Sequence, residues 1–161
     1  MGKGLGLLRL FHISLVALRV LLIGMVWRAT HLTTKGDRTL LVTTSGFADA
    51  LRIAYQNRPR LFDLEVVLPA LLHEAVLEVE ERIDAEGNVL VALNEQQARC
   101  GMQSAYDDGI RSVAILLMHG YRYTQHESLL KQIAEETGFS QVSVSHEVSP
   151  LMKLVGRGDT T

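Results

Sequence analysis

The sequence has one cysteine, three prolines and few aromatic residues, which make up 6% of the chain. The single cysteine, Cys100, cannot form an internal disulfide bond, and no cysteine or histidine cluster has the spacing of a zinc site. Linkers rich in proline or serine are absent, as are repeats and low-complexity tracts. These absences predict a reducing, cytoplasmic setting and argue against several domains joined by flexible linkers.

The sequence also lacks an excess of either charge, with 16 basic residues against 18 acidic ones and a net charge of −2. Nucleic-acid-binding domains carry clustered lysine and arginine, so this balance argues against a nucleic-acid partner. The 161 residues are 47% hydrophobic and 21% charged, which is typical of a folded soluble protein. This length is sufficient for one domain with its own core.

The one long hydrophobic stretch covers residues 4–27 and contains two arginines and a histidine. A membrane-spanning helix needs about 20 apolar residues and rarely contains two arginines, and no small-residue cleavage site follows the stretch. The favoured interpretation of this stretch is a segment foreign to the fold, such as a displaced start or frame-shifted coding. The second is a helix packed on the domain, and the third is membrane association. We expect residues 1–30 to stand apart from a domain over residues 31–161, without a membrane partner.

An unbroken apolar run from Val113 to Met118 is bounded by turn-forming residues on both sides. A short run of this kind predicts a strand buried on both faces, as in a parallel sheet covered by helices. A polar cluster from His119 to Arg122 follows directly. Open α/β sheets bind ligands at the carboxyl ends of their strands, so this cluster marks a candidate site.

The rest of the chain supplies the other elements of an α/β fold. Alternating residues and a turn predict a β-hairpin over residues 75–93 with an acidic outer face. Further strands are predicted at residues 38–44 and 139–145, and helices at 47–56, 95–108 and 126–137, with Ser45 and Asn94 as N-caps and Gly138 as a C-terminal stop. The predicted architecture is a mixed sheet with flanking helices plus a β-hairpin.

Two of the predicted strands end in polar clusters that contain a histidine. If these strands are parallel neighbours joined by the helix at 126–137, their ends share one edge of the sheet. The candidate catalytic residues that then converge are His119, Arg122, His146 and Glu147. Histidine beside a carboxylate suits a general base or a metal position. Structural histidines bonded to the backbone are the alternative, and no metal ligand is assigned.

Other charged residues offer further candidates. Arg58 and Asp63 flank the break after the first helix, and this pair could hold a ligand or brace the loop as an ion pair. The glutamates Glu78, Glu80 and Glu81 have the composition of a catalytic carboxylate group. Alternation along the strand places Glu78 and Glu80 on the solvent side, so a solvated face is the favoured interpretation of the group and a metal or acid–base site is the alternative.

Several segments together form a recognisable pattern: Lys35 to Thr39, Leu41 to Phe47, Gln56 to Leu64, Glu80 to Asp84 with Gly87, His119 to Arg122, and Val144 to Pro150. On these segments the sequence resembles the N-terminal domain of the hydantoinase/5-oxoprolinase family, in particular its hydantoinase A-type subunits. The segments occur in the order that the family has, and those around Asn57 and His146 are the most specific.

The resemblance implies an actin/hexokinase-like ATPase architecture, with ATP and a divalent metal as cofactors of the full-length family. It implies hydrolysis of a cyclic amide that is activated by phosphorylation. The first candidate substrate is 5-oxoproline, opened to glutamate in glutathione metabolism, and the second is a hydantoin ring. The motif residues Arg58, Asp63 and Tyr121 are then the candidate substrate-binding residues.

The sequence departs from the family pattern near its beginning. Residues 1–34 contain no strand followed by a glycine/threonine-rich phosphate turn, and no Walker-type loop. The chain also ends at Thr161, where the family continues into its ATPase core. We therefore expect a fragment that is inactive alone, has no evident cofactor site, and is completed by a partner subunit or the remainder of the enzyme. The alternative is a non-catalytic interaction module that docks on a larger subunit.

Overall fold

The computed structural model describes residues 37–54, 62 and 71–161. Four strands form a parallel sheet in the order β2-β1-β5-β6, and two form a separate antiparallel pair, β3-β4. The strands are β1 (Thr39–Thr44), β2 (Ala75–Val79), β3 (Arg82–Ile83), β4 (Val89–Val91), β5 (Ser112–Leu116) and β6 (Gln141–Val144). The described helices are α1 (Ala50–Ile53), α2 (Glu95–Asp107), α3 (Gln125–Thr137), α4 (Ser145–Val148) and α5 (Leu154–Gly158). The predicted α/β class with flanking helices is confirmed.

β5, α3 and β6 form the strand–helix–strand unit that the sequence predicted. β5 and β6 are parallel neighbours, with Val113 opposite Val142 and Ile115 opposite Val144. α3 ends at Thr137, and its C-cap is Gly138, whose φ of +102° lies in the left-handed region that favours glycine. The carboxyl ends of both strands therefore open on the same edge of the sheet.

The hydrophobic core draws on alternate residues of the two central strands. Leu40 and Val42 of β1 and Val113 and Ile115 of β5 belong to one buried cluster, which also includes the inner faces of α2 and α3. The α2 residues of this cluster are those that the sequence predicted: Ala98, Met102 and Ala105. Each fully buried Val, Leu or Ile side chain stabilises the fold by about 1.5–3 kcal/mol, so this face fixes the register of the sheet.

The order of the strands defines a switch point beside β1. The chain passes from β1 to β2 on one side and later returns to β5 on the other side of β1. In open α/β sheets, ligands bind outside the carboxyl ends of the strands where the order reverses. The end of β1 at Thr44 and the end of β5 at Leu116 form this point.

The predicted hairpin is correct only in its second half. β3 and β4 pair antiparallel around the turn at residues 84–87, whereas β2 lies parallel to β1 in the main sheet. The four-stranded sheet is therefore parallel throughout and not mixed. Among the described strands, β2 lies at an edge of this sheet, and an edge strand can show the same alternation as a hairpin strand.

The predicted helix over residues 47–56 is shorter in the described part of the chain, where α1 covers Ala50–Ile53. Ser45 is not its N-cap, because the residue in that position is Asp49. The turn after β1 is instead held by Glu78, whose Oε1 accepts hydrogen bonds from Gly46 N at 2.8 Å and Ala48 N at 3.2 Å. The N-cap predicted for α2 is confirmed, since Asn94 Oδ1 accepts from Gln97 N at 3.1 Å.

Three of the sequence predictions lie outside the described residues. They concern the apolar segment at residues 1–30 and the two candidate ligand residues Arg58 and Asp63. Within the ranges that the structure describes, no helix is both long enough and apolar enough to cross a membrane.

The hydrogen bonds of Asp84 in the turn between β3 and β4 can be tested by a pH titration. Asp84 accepts hydrogen bonds from Asn88 Nδ2 at 2.8 Å and from the Asn88 and Glu86 amides, and these bonds lower the pKa of its carboxyl group. An aspartate with a lowered folded-state pKa stabilises the fold fully above its unfolded pKa of about 3.9. This stabilisation is lost as the pH falls through the folded-state value. We expect an NMR titration to give a midpoint for Asp84 below about 3.9, and Asn88→Ala to raise it.

A midpoint for Asp84 at or above the value of an exposed aspartate, or one that does not change in Asn88→Ala, would contradict this geometry of the turn.

Candidate functional site

Two backbone amides beyond the end of β5 bind side chains from other parts of the chain. Leu117 N donates to Glu127 Oε1 at 2.9 Å, and Met118 N donates to Thr44 Oγ1 at 2.9 Å. Glu127 lies in the first turn of α3 and Thr44 is the last residue of β1. These two bonds connect the carboxyl end of β5 to the neighbouring elements at the switch point.

Glu127 is the centre of the first polar network at this edge. Its side chain has 0% exposure, and its Oε1 also accepts from Ser145 Oγ at 2.6 Å. Its Oε2 accepts from His146 N at 3.3 Å and lies 2.7 Å from His146 Nδ1. A buried carboxylate requires such partners, because an unpaired buried charge is strongly destabilising. Glu127 therefore joins β5, α3 and the start of α4.

A second carboxylate–imidazole pair stands beside the first. Glu81 Oε2 lies 2.8 Å from His126 Nδ1, and its Oε1 accepts a hydrogen bond from Thr44 Oγ1. The side chains of Glu81 and His126 are 0% and 8% exposed. Because His126 and Glu127 are consecutive residues, the first turn of α3 takes part in both pairs. The solvated face predicted for Glu81 is thus wrong, whereas Glu80 is exposed.

His146 lies at this edge, but its carboxylate partner is Glu127 and not the adjacent Glu147. The imidazole of His146 keeps 16% exposure. Glu147 points to the surface, where both of its oxygens accept from Lys131 Nζ at 2.7 and 2.8 Å. The bond to Lys131 lowers the pKa of Glu147. The two neighbours thus have different surroundings, although the sequence proposed them together.

The loop from His119 to Arg122 follows the end of β5. His119 has a φ of +59°, and its ring centroid lies 6.4 Å from that of Tyr121. Arg122 is exposed, and its guanidinium lies 5.4 Å from the Tyr123 ring. On its inner side, the loop neighbours Arg157, whose guanidinium is 5.7 Å from the Tyr121 ring centroid.

Gly120 brings this loop into contact with the Glu127 network. A Cβ added at Gly120 would overlap the carboxylate of Glu127, the same group that holds His146. The loop after β5 and the turn after β6 therefore meet at one carboxylate. The predicted convergence of the two strand ends at one edge is observed, with Glu127 between them.

The contact at Gly120 leads to a testable consequence. Gly120→Ala should displace the Glu127 carboxylate and lower the free energy of unfolding by about 1–3 kcal/mol, which is the usual effect of overpacking. Urea denaturation of both proteins measures the difference. An unchanged denaturation midpoint would show that the loop does not pack on Glu127.

The described segments of the family-like pattern contact one another. The Arg82 guanidinium lies 5.1 Å from the Phe47 ring centroid, which links the segments around β1 and β3. Tyr123 Oη donates to Ala85 O at 3.1 Å, and its ring faces Gly87. These contacts connect the regions around β1, the β3–β4 turn and the loop after β5.

Sequence reasoning missed the acidic residues that organise this region. Glu127 had the pattern of an ordinary acidic residue in the first turn of a helix, where such residues are common. Glu81 was assigned to a solvated face. The available signal was the adjacent pair His126 and Glu127 at the start of a helix that follows the central strand, but this signal alone does not specify burial.

Metal binding receives no support from these residues. In the described ranges, no group of three or more His, Cys, Asp or Glu side chains is placed to hold a metal ion. Both oxygens of the Glu81 carboxylate and both oxygens of the Glu127 carboxylate already have a hydrogen-bond partner within the protein.

The described part of the chain is a parallel α/β domain with a polar network at the carboxyl edge of its sheet. A solved structure of the same fold is the ATP-dependent caprolactamase from Pseudomonas jessenii, with a TM-score of 0.69 and 21% identity, covering 78% of this chain and 19% of that one. Residues 29–138 match the family model described as the hydantoinase/oxoprolinase N-terminal region. The chain belongs to this family.

Curated relatives agree with the family assignment. The chain is 36% identical over 145 residues to 5-oxoprolinase 1 of Arabidopsis thaliana, and 32% identical over 152 residues to the 5-oxoprolinase of Dictyostelium discoideum. These alignments cover 78% and 79% of the chain. The chain spans 12% of the length of each of these relatives.

Proposed function

We propose that this chain provides the N-terminal part of an ATP-dependent cyclic-amide hydrolase that opens 5-oxoproline to glutamate. The observation that carries this proposal is the family match over residues 29–138, together with the 5-oxoprolinases among the relatives. Opening of a hydantoin ring is the second candidate reaction. The same proposal includes an actin/hexokinase-like architecture for the whole enzyme and a cytoplasmic location.

The contribution of this part to the reaction is a polar edge beside the substrate. The imidazole of His146 is partly exposed and is held by a buried carboxylate, which suits acceptance of a proton during ring opening. On the loop after β5, Arg122 can neutralise negative charge that develops on the amide, and Tyr121 can donate a hydrogen bond to it. His119 remains a candidate at the same edge, and Arg58 and Asp63 remain candidates for substrate binding. Glu147 pairs with Lys131 at the surface and receives no role in the reaction.

ATP and a divalent metal would be supplied elsewhere in the longer enzyme. When bound there, ATP would supply the phosphoryl group that activates the amide, and such transfer depends on positioning and charge neutralisation. The described residues offer no group of three metal ligands. We propose that activity requires a longer polypeptide or a partner subunit, because the relatives are far longer than this chain.

A non-catalytic interaction module is the second candidate function, and one observation favours it. All three residues of β4, Val89, Leu90 and Val91, are exposed, with 48%, 64% and 49% of their surface accessible. An exposed apolar edge strand is a common docking element. Under this proposal the domain would bind a larger subunit through β4 without contributing to the reaction.

A chimeric enzyme distinguishes the two functions. Residues 37–161 of this chain would replace the matching region of the Arabidopsis thaliana 5-oxoprolinase 1, and ATP-dependent formation of glutamate from 5-oxoproline would be measured. We expect turnover by the chimera and none by this chain alone. A folded chimera without turnover, together with a tight complex between this chain and a larger subunit, would support the interaction module instead.

A further inference from the structure

We infer that Glu127 is a positioning residue that fixes the proton of the His146 imidazole on Nδ1, so that Nε2 presents its lone pair outward as a proton acceptor. The inference rests on the proposed function and deepens it, because it concerns the same edge of the sheet. Glu127 is 19 residues away from His146 in the sequence, and no motif had indicated it.

The Glu127 carboxylate is surrounded by hydrogen-bond donors. Its Oε1 accepts from Leu117 N and Ser145 Oγ, and its Oε2 accepts from His146 N. An ionised carboxylate only accepts hydrogen bonds. The 2.7 Å contact between Oε2 and His146 Nδ1 therefore requires a proton on Nδ1. In the neutral imidazole, the lone pair then lies on Nε2.

Glu127 holds both the backbone and the Nδ1 edge of His146. His146 N and His146 Nδ1 both bind Glu127 Oε2, which prevents the ring from turning about its side-chain bonds without losing a contact. Glu127 is itself fixed by Leu117 N at the end of β5. A group that binds both the ring and the rigid sheet sets the direction of Nε2 in the manner of the carboxylate in other carboxylate–histidine pairs.

The His146 imidazole is also accessible from solvent. It is 16% exposed, while the carboxylate beneath it is fully buried. In the part of the chain that the structure describes, Nε2 of His146 has no hydrogen-bond partner. When Nε2 takes a proton from an O–H donor, the donor oxygen keeps the electron pair and the imidazolium is balanced by Glu127. The pair of Glu81 and His126 has the same chemistry but lies deeper, with 8% exposure at the imidazole.

The position of the ring proton can be measured by nitrogen-15 NMR of the histidine side chains of this chain at about pH 9, where imidazole is mostly neutral. The signals of His146 are assigned by their loss in His146→Gln. We expect a protonated Nδ1 and an unprotonated Nε2. In Glu127→Gln, whose amide group can donate to Nδ1, we expect the proton to move to Nε2. Ser145→Ala keeps the carboxylate and should keep the proton on Nδ1.

Glu81→Gln serves as the matched control, because it changes the partner of His126 and should leave the His146 signals in place. A wild-type protein with the proton on Nε2 of His146 would overturn the inference, as would an unchanged tautomer in folded Glu127→Gln. If Glu127→Gln does not fold, the wild-type and Ser145→Ala spectra decide the question. This measurement does not depend on ring opening. A failure of the tautomer inference can therefore be distinguished from a failure of the proposed function.

Discussion

Replacement of Glu127 by alanine is expected to lower the free energy of unfolding by about 3–5 kcal/mol. The substitution leaves Leu117 N, Ser145 Oγ and His146 Nδ1 without their acceptor at a buried position. Each unsatisfied buried donor costs about 1–3 kcal/mol. Since domains are stable by only about 5–15 kcal/mol, urea denaturation should show a clearly less stable protein.

The matched control for this substitution is Glu136→Ala on the same helix. Glu136 forms an ion pair with Arg99, and its side chain is 59% exposed. Exposed pairs of this kind contribute about 0–1 kcal/mol, so the control should change stability only slightly. Equal losses in the two variants would show that Glu127 is not the centre of a buried network.

Replacement of Arg157 by alanine should also have a large effect, a loss of about 3 kcal/mol. Arg157 is 1% exposed, and it donates to Leu117 O and, at 3.0 Å, to Leu151 O. Burial lowers the pKa of Arg157, while the charge of Glu127 and the neighbouring Tyr121 raise it. The substitution removes both donors and leaves a cavity beside the end of β5.

Arg157→Lys provides the comparison, because lysine keeps the charge but cannot bind two separated carbonyls as a planar guanidinium does. We expect an intermediate loss, measured by the same urea denaturation. Equal stability of Arg157→Ala and the wild-type protein would show that the hydrogen bonds of Arg157 to the two carbonyls do not stabilise this part of the fold.

The central part of the fold was predictable from the sequence because its signals are local. The apolar run at Val113 to Met118, the helix pattern before Gly138 and the turn residues between them indicate the β5–α3–β6 unit without knowledge of distant contacts. The N-cap Asn94 is a similar local signal. These features depend on hydrophobic period and on termini, which a single sequence shows directly.

The pairing of β2 was not predictable in the same way. Val76, Leu77 and Val79 alternate with glutamates, and this pattern fits both a hairpin strand and the edge of a parallel sheet. The choice depends on contacts with β1, which lies much earlier in the chain. A hydrophobic period indicates a strand but does not specify its distant partner.

The organising acidic residues escaped prediction for a related reason. Glu81 and Glu127 are charged, and charged residues are almost never fully buried unless they are paired. The partners of Glu81 are Thr44 in β1 and His126 in α3, and the imidazole partner of Glu127 is His146 in α4. Burial of a carboxylate becomes visible only when these elements are brought together. The candidate His146 was identified from its position after a strand, which is a local signal.

The most direct test compares two neighbouring residues in the chimeric 5-oxoprolinase. His146→Ala removes the imidazole held by Glu127, and we expect a loss of turnover of about 100-fold or more, as for removal of a general base. Glu147→Ala removes a surface ion pair with Lys131 and should leave turnover within about threefold of the unsubstituted chimera. Full turnover in His146→Ala, with a large loss in Glu147→Ala, would contradict the role assigned to the Glu127–His146 pair.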